Sequence, residues 1–325
     1  MSATGLDGPP GAGPPTAGPP GAGPPAASPR LRRRLSDHEG FLSAALLLPS
    51  IVYILALVAF PFFLSIAFSL SDVTAGNPDF DWVGFRNFQR IFDDPVFWTA
   101  LRNTLVFSAI SMVLIVIFGK VLANILVADF RGKWLVRFLV LLPWVTPVSL
   151  SAIAWLWMLD SIYSPIDWLL RHAGLIEGNM YWLGRPHLAM ASVIAVHVWR
   201  LVPLAAVIMM AGLVAIPTEV KEQATIDGAG FWRRFFEITI PLMLPVMAVA
   251  ALFGAIFTFT DMAVVYVLTR GGPTNATQVL ASWSFFKGIE GGDVAQGAAI
   301  ALFLFPVLLA GAIMTLRWVR RLEVL

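Results

Sequence analysis

The chain has 325 residues, of which 58% are hydrophobic and 13% charged, with a formal net charge of +2 and a mean hydropathy of +0.78. Soluble domains carry about 25% charged residues, so a chain with half that share buries its surface in lipid. The sequence contains no Cys and four His. Disulfides, thiolate metal sites and Cys nucleophiles are therefore excluded, and His38, His172, His187 and His197 never fall at the HxxxH spacing of a helical zinc site. No GxxxxGK[ST] is present, so the chain supplies no P-loop of its own.

Residues 1–29 are almost wholly Pro, Gly, Ala and Ser, a composition that cannot offset its ordering entropy. Together with the basic collar Arg30, Arg32, Arg33 and Arg34, residues 1–35 are expected to be a disordered tail, and 36–325 the membrane domain. A span needs about 20 apolar residues. Six stretches qualify: 41–70, 97–128, 133–160, 187–214, 241–268 and 295–317. The fold class is thus an all-α integral membrane protein with six transmembrane helices. Pro49 and Pro61 should bend the first span. With the N-terminus inside, the inside segments hold thirteen Lys and Arg against seven outside, so the positive-inside rule places both termini in the cytoplasm. Between the first two spans, DWVGFRNFQRIFDDPVFWTALRNTL reads as a short amphipathic helix on the outer surface. TRGGPTNATQVLASWSFFKGIEGGD should turn at Gly271-Gly272-Pro273 and carry an in-plane helix near 278–287.

The segment 216–245, between spans four and five, is too polar to span and too patterned for a passive linker. Thr218 can cap a helix whose first turn holds Glu219 and Glu222, and Gly228 should end it in a left-handed conformation. Ala224 and Ala229 leave the backbone approachable by another protein. A second short helix should follow, with Phe231/Phe235, Trp232/Phe236 and Arg233/Glu237 at i, i+4, before Pro241 opens span five.

Within the spans three charges stand out, and an intramembrane charge is a functional candidate by default. Lys120 lies in the inner half of span two, where its stem can snorkel. Arg200 and Asp261 lie in spans four and five. Either they neutralise one another or a charge on a partner, or Asp261 lines a translocation path together with Phe257, Thr258, Arg200 and Trp157, where a carboxylate accepts hydrogen bonds from hydroxyls and aromatic faces stack on apolar ring faces. Ion-coupled carriers usually show several intramembrane carboxylates or paired broken helices. With one clear mid-span acid and no internal repeat, the chain departs from that pattern, and a secondary transporter is carried as an alternative. No channel filter and no catalytic constellation is legible; His197 with Asp261 is set aside as a catalytic pair, the histidine being read as packing or as a hydrogen-bond donor.

Glu222-Gln223-Ala224, Asp227-Gly228-Ala229, Phe235, Ile238, Ile240-Pro241 and Pro245 resemble the EAA loop of bacterial ABC-importer permeases, with Gln223 and Ile240 departing from the usual pattern. WVGFRNFQRIFDDPVFWTALRNTL, AGLVAIPTEV and LTRGGPTNATQVL resemble the carbohydrate and glycerol-phosphate branch of that family, the maltose-permease-F or glycerol-phosphate-permease-A type. The resemblance implies a non-catalytic permease in the bacterial plasma membrane. Its coupling helix (Glu222, Gln223, Ala224, Asp227, Gly228, Ala229) docks on a separate ATPase that binds the ATP and Mg, and this chain holds no cofactor or metal. It further implies a second homologous permease subunit, two ATPase subunits and an extracytoplasmic solute-binding protein that delivers a sugar, polyol or glycerol-phosphate-type solute.

Overall fold

The computed structural model describes residues 29–77 and 79–323. Residues 1–28, most of the expected tail, lie outside the described residues. The chain falls into two compact units, one up to Phe60 and one from Pro61 onward, and the core and sites below belong to the second. The first unit holds helix α1 (Pro29–Ile54) and a turn of π-helix, Leu55–Ala59; residues 29–35 are thus helical where tail was expected. Helix α2 (Phe60–Ser69) follows. Among the described residues the regular elements are helices, with only isolated bridges at Ser71–Trp82 and Thr74–Asn77.

Among the described residues five helices are long and apolar enough to cross a bilayer: Ser43–Ser69, Pro95–Val127, Pro186–Ala215, Phe231–Phe259 and Val294–Arg317. The sixth expected span, 133–160, is not one rod. It consists of two helices, Lys133–Val145 and Val148–Met158, bent by 96°. In chain order, α3 (Arg86–Asp93) leads into α4 (Pro95–Val127), whose start is capped by Asp94, the carboxylate accepting from the Val96 N–H at 2.9 Å. Then come α5 (Lys133–Val145) and α6 (Val148–Met158). Pro147 disfavours a helical conformation at the residue before it, and Thr146 is extended at φ −66°, ψ 136°. Hydropathy alone hides that corner, because Thr146-Pro147 sits inside an unbroken apolar run.

After α7 (Pro165–His172), helix α8 (Pro186–Ala215) forms the centre of the bundle, with 56% of its apolar window buried. The elbow helix α9 (Thr218–Ile226) precedes α10 (Phe231–Arg233), a π turn (Arg234–Thr239) and α11 (Ile240–Phe259). The second in-plane helix and span five are therefore one continuous helix, Phe231–Phe259. Pro241 does not open it. In a regular helix Pro241 would orphan and crowd the Glu237 carbonyl, and the wider π turn just before it absorbs the misfit. Span five also ends earlier than expected, since the helix stops at Phe259 and restarts as α12 (Ala263–Leu268). Helix α13 (Leu280–Phe285) and a π turn (Phe286–Glu290) stand where a helix near 278–287 was expected; α14 (Val294–Leu302) and α15 (Leu304–Glu323) are the last described elements.

Lipid tails are as apolar as leucine, so helices in a membrane associate through close packing, which small residues permit. A Cβ on Gly119 of α4 would lie 2.9 Å from the Ala205 Cβ of α8, and one on Gly212 of α8 would lie 2.9–3.0 Å from three side-chain atoms of Val246 on α11. Around these approaches Phe107 and Ile115 of α4, Leu201 and Met209 of α8, and Met243 of α11 close the main core. A satellite core joins Ile91, Phe97, Leu280 and Ile300. The 269–279 loop is pinned to it. Asn103 Nδ2 donates to the carbonyls of Ala276 and Gln278 at 3.0 Å each, and the Leu280 N–H donates to Thr104 Oγ1 at 2.8 Å.

Replacing Gly212 with Leu should lower stability by about 1–3 kcal/mol, the usual cost of overpacking. Adding Val246→Ala should restore part of it. Thermal unfolding of the detergent-solubilised variants checks both; equal melting of wild type and Gly212→Leu would contradict the close approach.

Candidate functional site

Two features distinguish this bundle from a set of packed hydrophobic helices: an elbow joining α8 to α11, and a buried polar cluster joining the same two helices farther along.

In the elbow, Pro217 occupies the capping position and Thr218 is the first helical residue, making no capping bond. Thr218 is therefore not the cap that its chemistry suggested. The opposite end closes as expected. Gly228 is left-handed at φ +73°, the Ala229 N–H donates to the Ala224 carbonyl at 2.9 Å and the Gly228 N–H to Thr225 at 3.1 Å. These two bonds satisfy the last carbonyls of the helix and fix the direction in which the chain leaves it. Glu222, Gln223, Asp227 and Gly228 are exposed. Ala224 is only 6% exposed, so it packs inward and offers no bare backbone to a visitor; Ala229 is half-buried. The apolar residue on the outer face is Ile226, 84% exposed, which the motif did not single out.

Beyond the turn, Phe231 stacks on Phe235 with ring centroids 6.2 Å apart, and Trp232 on Phe236 at 6.0 Å. Arg233 Nε donates to Glu237 at 2.8 Å. Arg234 reaches back to the Thr225 hydroxyl at 2.8 Å, and that hydroxyl donates to the Lys221 carbonyl at 2.8 Å. The elbow is thus braced by its own side chains and continues without a joint into the long helix that carries α11.

The polar cluster is built from two i, i+3 pairs facing each other: His197 and Arg200 on α8, Thr258 and Asp261 at the end of α11. Asp261 Oδ2 accepts from His197 Nδ1 and from Arg200, each at 2.8 Å. Its Oδ1 accepts the Val264 N–H at 3.1 Å, satisfying a first-turn donor of α12 just past the break. His197 Nε2 meets Thr258 Oγ1 at 2.9 Å, and that hydroxyl lies 2.6 Å from the Gly254 carbonyl. Because a carboxylate only accepts, His197 carries its proton on Nδ1. His197 is 0% exposed and Asp261 7%. A charge so placed is tolerated only when paired and hydrogen-bonded, and here both conditions are met.

Arg200, Thr258 and Asp261 thus come together with His197. The last was weighed on the sequence and left aside; its spacing of three from Arg200 on a central helix was the available signal. Phe257 packs its ring against Trp144, centroids 5.3 Å apart. Trp157 is 63% exposed and makes none of the cluster's hydrogen bonds. Among the described residues no group of three or more metal-binding side chains occurs.

Removing one partner of a buried ion pair costs about 3–5 kcal/mol, whereas exchanging both for apolar residues costs much less. Asp261→Asn should therefore lower the melting temperature sharply, and Arg200→Met with Asp261→Leu should recover more than half of the loss. Additive losses in that pair of variants would contradict the clamp.

Residues 115–324 match the family described as the binding-protein-dependent transport system inner membrane component. The chain is 31% identical over 295 residues to the sulfoquinovosyl glycerol transport system permease protein SmoG of Agrobacterium fabrum, covering 90% of this chain and 94% of that one. It is 33% identical over 287 residues to the trehalose/maltose transport system permease protein MalF of Thermococcus litoralis, with 88% and 96% covered. Its fold is shared, at a TM-score of 0.75 and 22% identity over 90% of this chain and 99% of the other, with a chain of a bacterial ABC transporter involved in the import of the acidic polysaccharide alginate. These likenesses remove the ion-coupled alternative. The chain belongs to the inner-membrane components of binding-protein-dependent transport systems, and is a multi-pass permease of an ABC-type importer.

Proposed function

We propose that the chain is one of two homologous permease subunits of an ATP-driven importer for a sugar, polyol or glycerol-phosphate-type solute. An extracytoplasmic binding protein delivers the solute, and two separate ATPase subunits bind the ATP and Mg. This subunit is non-catalytic; residues 36–325 are its permease domain and both termini lie in the cytoplasm. The solute class is supported by the names of the relatives, one for sulfoquinovosyl glycerol and one for trehalose and maltose. The orientation is supported by the excess of Lys and Arg on the side that carries the elbow.

The observation that carries the coupling role is the elbow's construction. A helix ended by a left-handed glycine exposes Glu222, Gln223 and Asp227 and passes through a braced turn into an unbroken membrane helix. Closure of the two ATPases pushes on that face, and the push reaches α8 and α11 without a flexible joint between. Ala224 supports the elbow from within, Gly228 sets its exit angle and Ala229 closes the turn.

Nothing lies within 4 Å of a Cβ placed on Gly228, so substitution there tests backbone geometry alone. A left-handed conformation costs an ordinary L-residue about 1–2 kcal/mol, and Asn tolerates it best. Gly228→Val should insert normally and yet lose about tenfold or more of its solute-dependent ATP hydrolysis in the reconstituted importer, while Gly228→Asn stays near wild type. Full coupling in Gly228→Val would refute the role given to the turn.

A further inference from the structure

Between the elbow and the ends of α4 and α8 lies a pocket of about 280 Å³ whose lining includes Asn124, Lys221, Phe231, Arg234, Phe235 and Thr239. Among the described residues its wall is cationic and holds no carboxylate. Lys221 Nζ reaches only the Leu213 carbonyl at 3.4 Å, and Arg234 reaches the Thr225 hydroxyl. Behind Asn124 sits Lys120, 4% exposed. Its ammonium donates to Asn124 Oδ1 at 2.9 Å and lies 5.3 Å from the centroid of the Phe235 ring. Among the described residues none of the three cations lies within 4.0 Å of a carboxylate, whereas Lys133, Arg233, Arg270 and Lys287 each have one. A buried ammonium held by one amide oxygen and a ring face is under-compensated. Its position, one layer behind two further cations and a pocket, suits an anion that brings its own charge.

We propose that this pocket binds a phosphate ester at the membrane surface, the headgroup of an anionic phospholipid. The size admits a phosphate, and Lys221 and Arg234 face it as point charge and planar donor respectively. The side chains of Asn124 and Thr239 offer further donors, and the exposed rings of Phe231 and Trp232 belong at the depth where headgroup meets acyl chain. The buried charge of Lys120 adds attraction without contact. Headgroups of anionic lipids are drawn to such basic clusters beside membrane helices. The bound phosphate would brace the elbow against α4 and α8. This assignment does not depend on which protein the elbow touches.

The test uses the full chain, purified in neutral detergent. Native mass spectrometry compares retention of phosphatidylglycerol with phosphatidylcholine, and thermal unfolding compares millimolar inorganic phosphate with chloride at equal ionic strength. The variants are Lys221→Gln with Arg234→Gln, Lys120→Met, and Arg131→Gln as an exposed basic control at the same end of α4. Phosphatidylglycerol should be preferred by about tenfold or more in wild type and in Arg131→Gln, and the preference should vanish in the Lys221→Gln, Arg234→Gln pair. Stabilisation by inorganic phosphate, lost in the same pair, with no lipid preference, would keep the phosphate site and make its source soluble. No preference and no stabilisation in wild type would overturn the proposal, as would a preference that survives the paired substitution or falls equally in Arg131→Gln. Should the pair fail to fold, Lys120→Met decides: undiminished discrimination there overturns it.

Discussion

The carboxylate of Asp261 holds this bundle to one geometry. It ties α8 to the end of α11 through His197 and Arg200, and it starts α12 through the Val264 N–H. Farther along the same pair of helices, Gly212 admits Val246 to van der Waals contact. At the far end the elbow closes the pair covalently. Helices α8 and α11 with their connection therefore form a closed frame, fastened by a clamp, a close-packed waist and a strap. In lipid, where apolar surface supplies no net attraction between helices, a paired and fully hydrogen-bonded charge is one of few devices able to fix such a frame.

In the coupling role proposed above, the frame is what the elbow would push against. A conformational shift driven from outside the membrane needs differential stabilisation of two states, and the elbow's closing turn and unbroken exit helix would pass that difference on as displacement of two helices together. The clamp also limits what Asp261 can do for a solute in this conformation. Its Oδ2 already accepts from two donors and its Oδ1 from a third, so a solute hydroxyl arriving there must displace a protein donor. Arg200 differs, because its Nε is buried without an acceptor and its side chain retains 16% of its exposure. Of the two, the guanidinium has donors to spare.

Much of this was legible in the residues. Apolar run lengths located four of the five long apolar helices closely and the fifth with its bounds shifted, and the left-handed glycine followed from an acidic helix start, a run of good helix formers and Gly228. What hydropathy obscured were the breaks. Thr146-Pro147 sits in an apolar run and turns the chain by 96°; α11 stops at Phe259, and Asp261 holds a first-turn N–H of the helix that restarts. Pro241 misled in the other direction, since proline suggested a helix start and a π turn let the helix run through it. The polar cluster was half visible. Arg200 and Asp261 announced themselves by charge, whereas the partnership of His197 and Thr258 depends on which faces of α8 and α11 meet, and periodicity in uniformly apolar helices does not encode that.

The absence of cysteine allows the frame to be probed directly. Val214 near the elbow end of α8 and Phe253 toward the clamp end of α11 are both exposed and can be replaced by cysteine for spin labelling. Pulsed electron resonance on the assembled importer should give one narrow distance that is the same without nucleotide and with ATP bound. A distance that shifts with nucleotide in the otherwise unaltered chain would mean that α8 and α11 slide past one another, and the elbow would then have no rigid frame to drive.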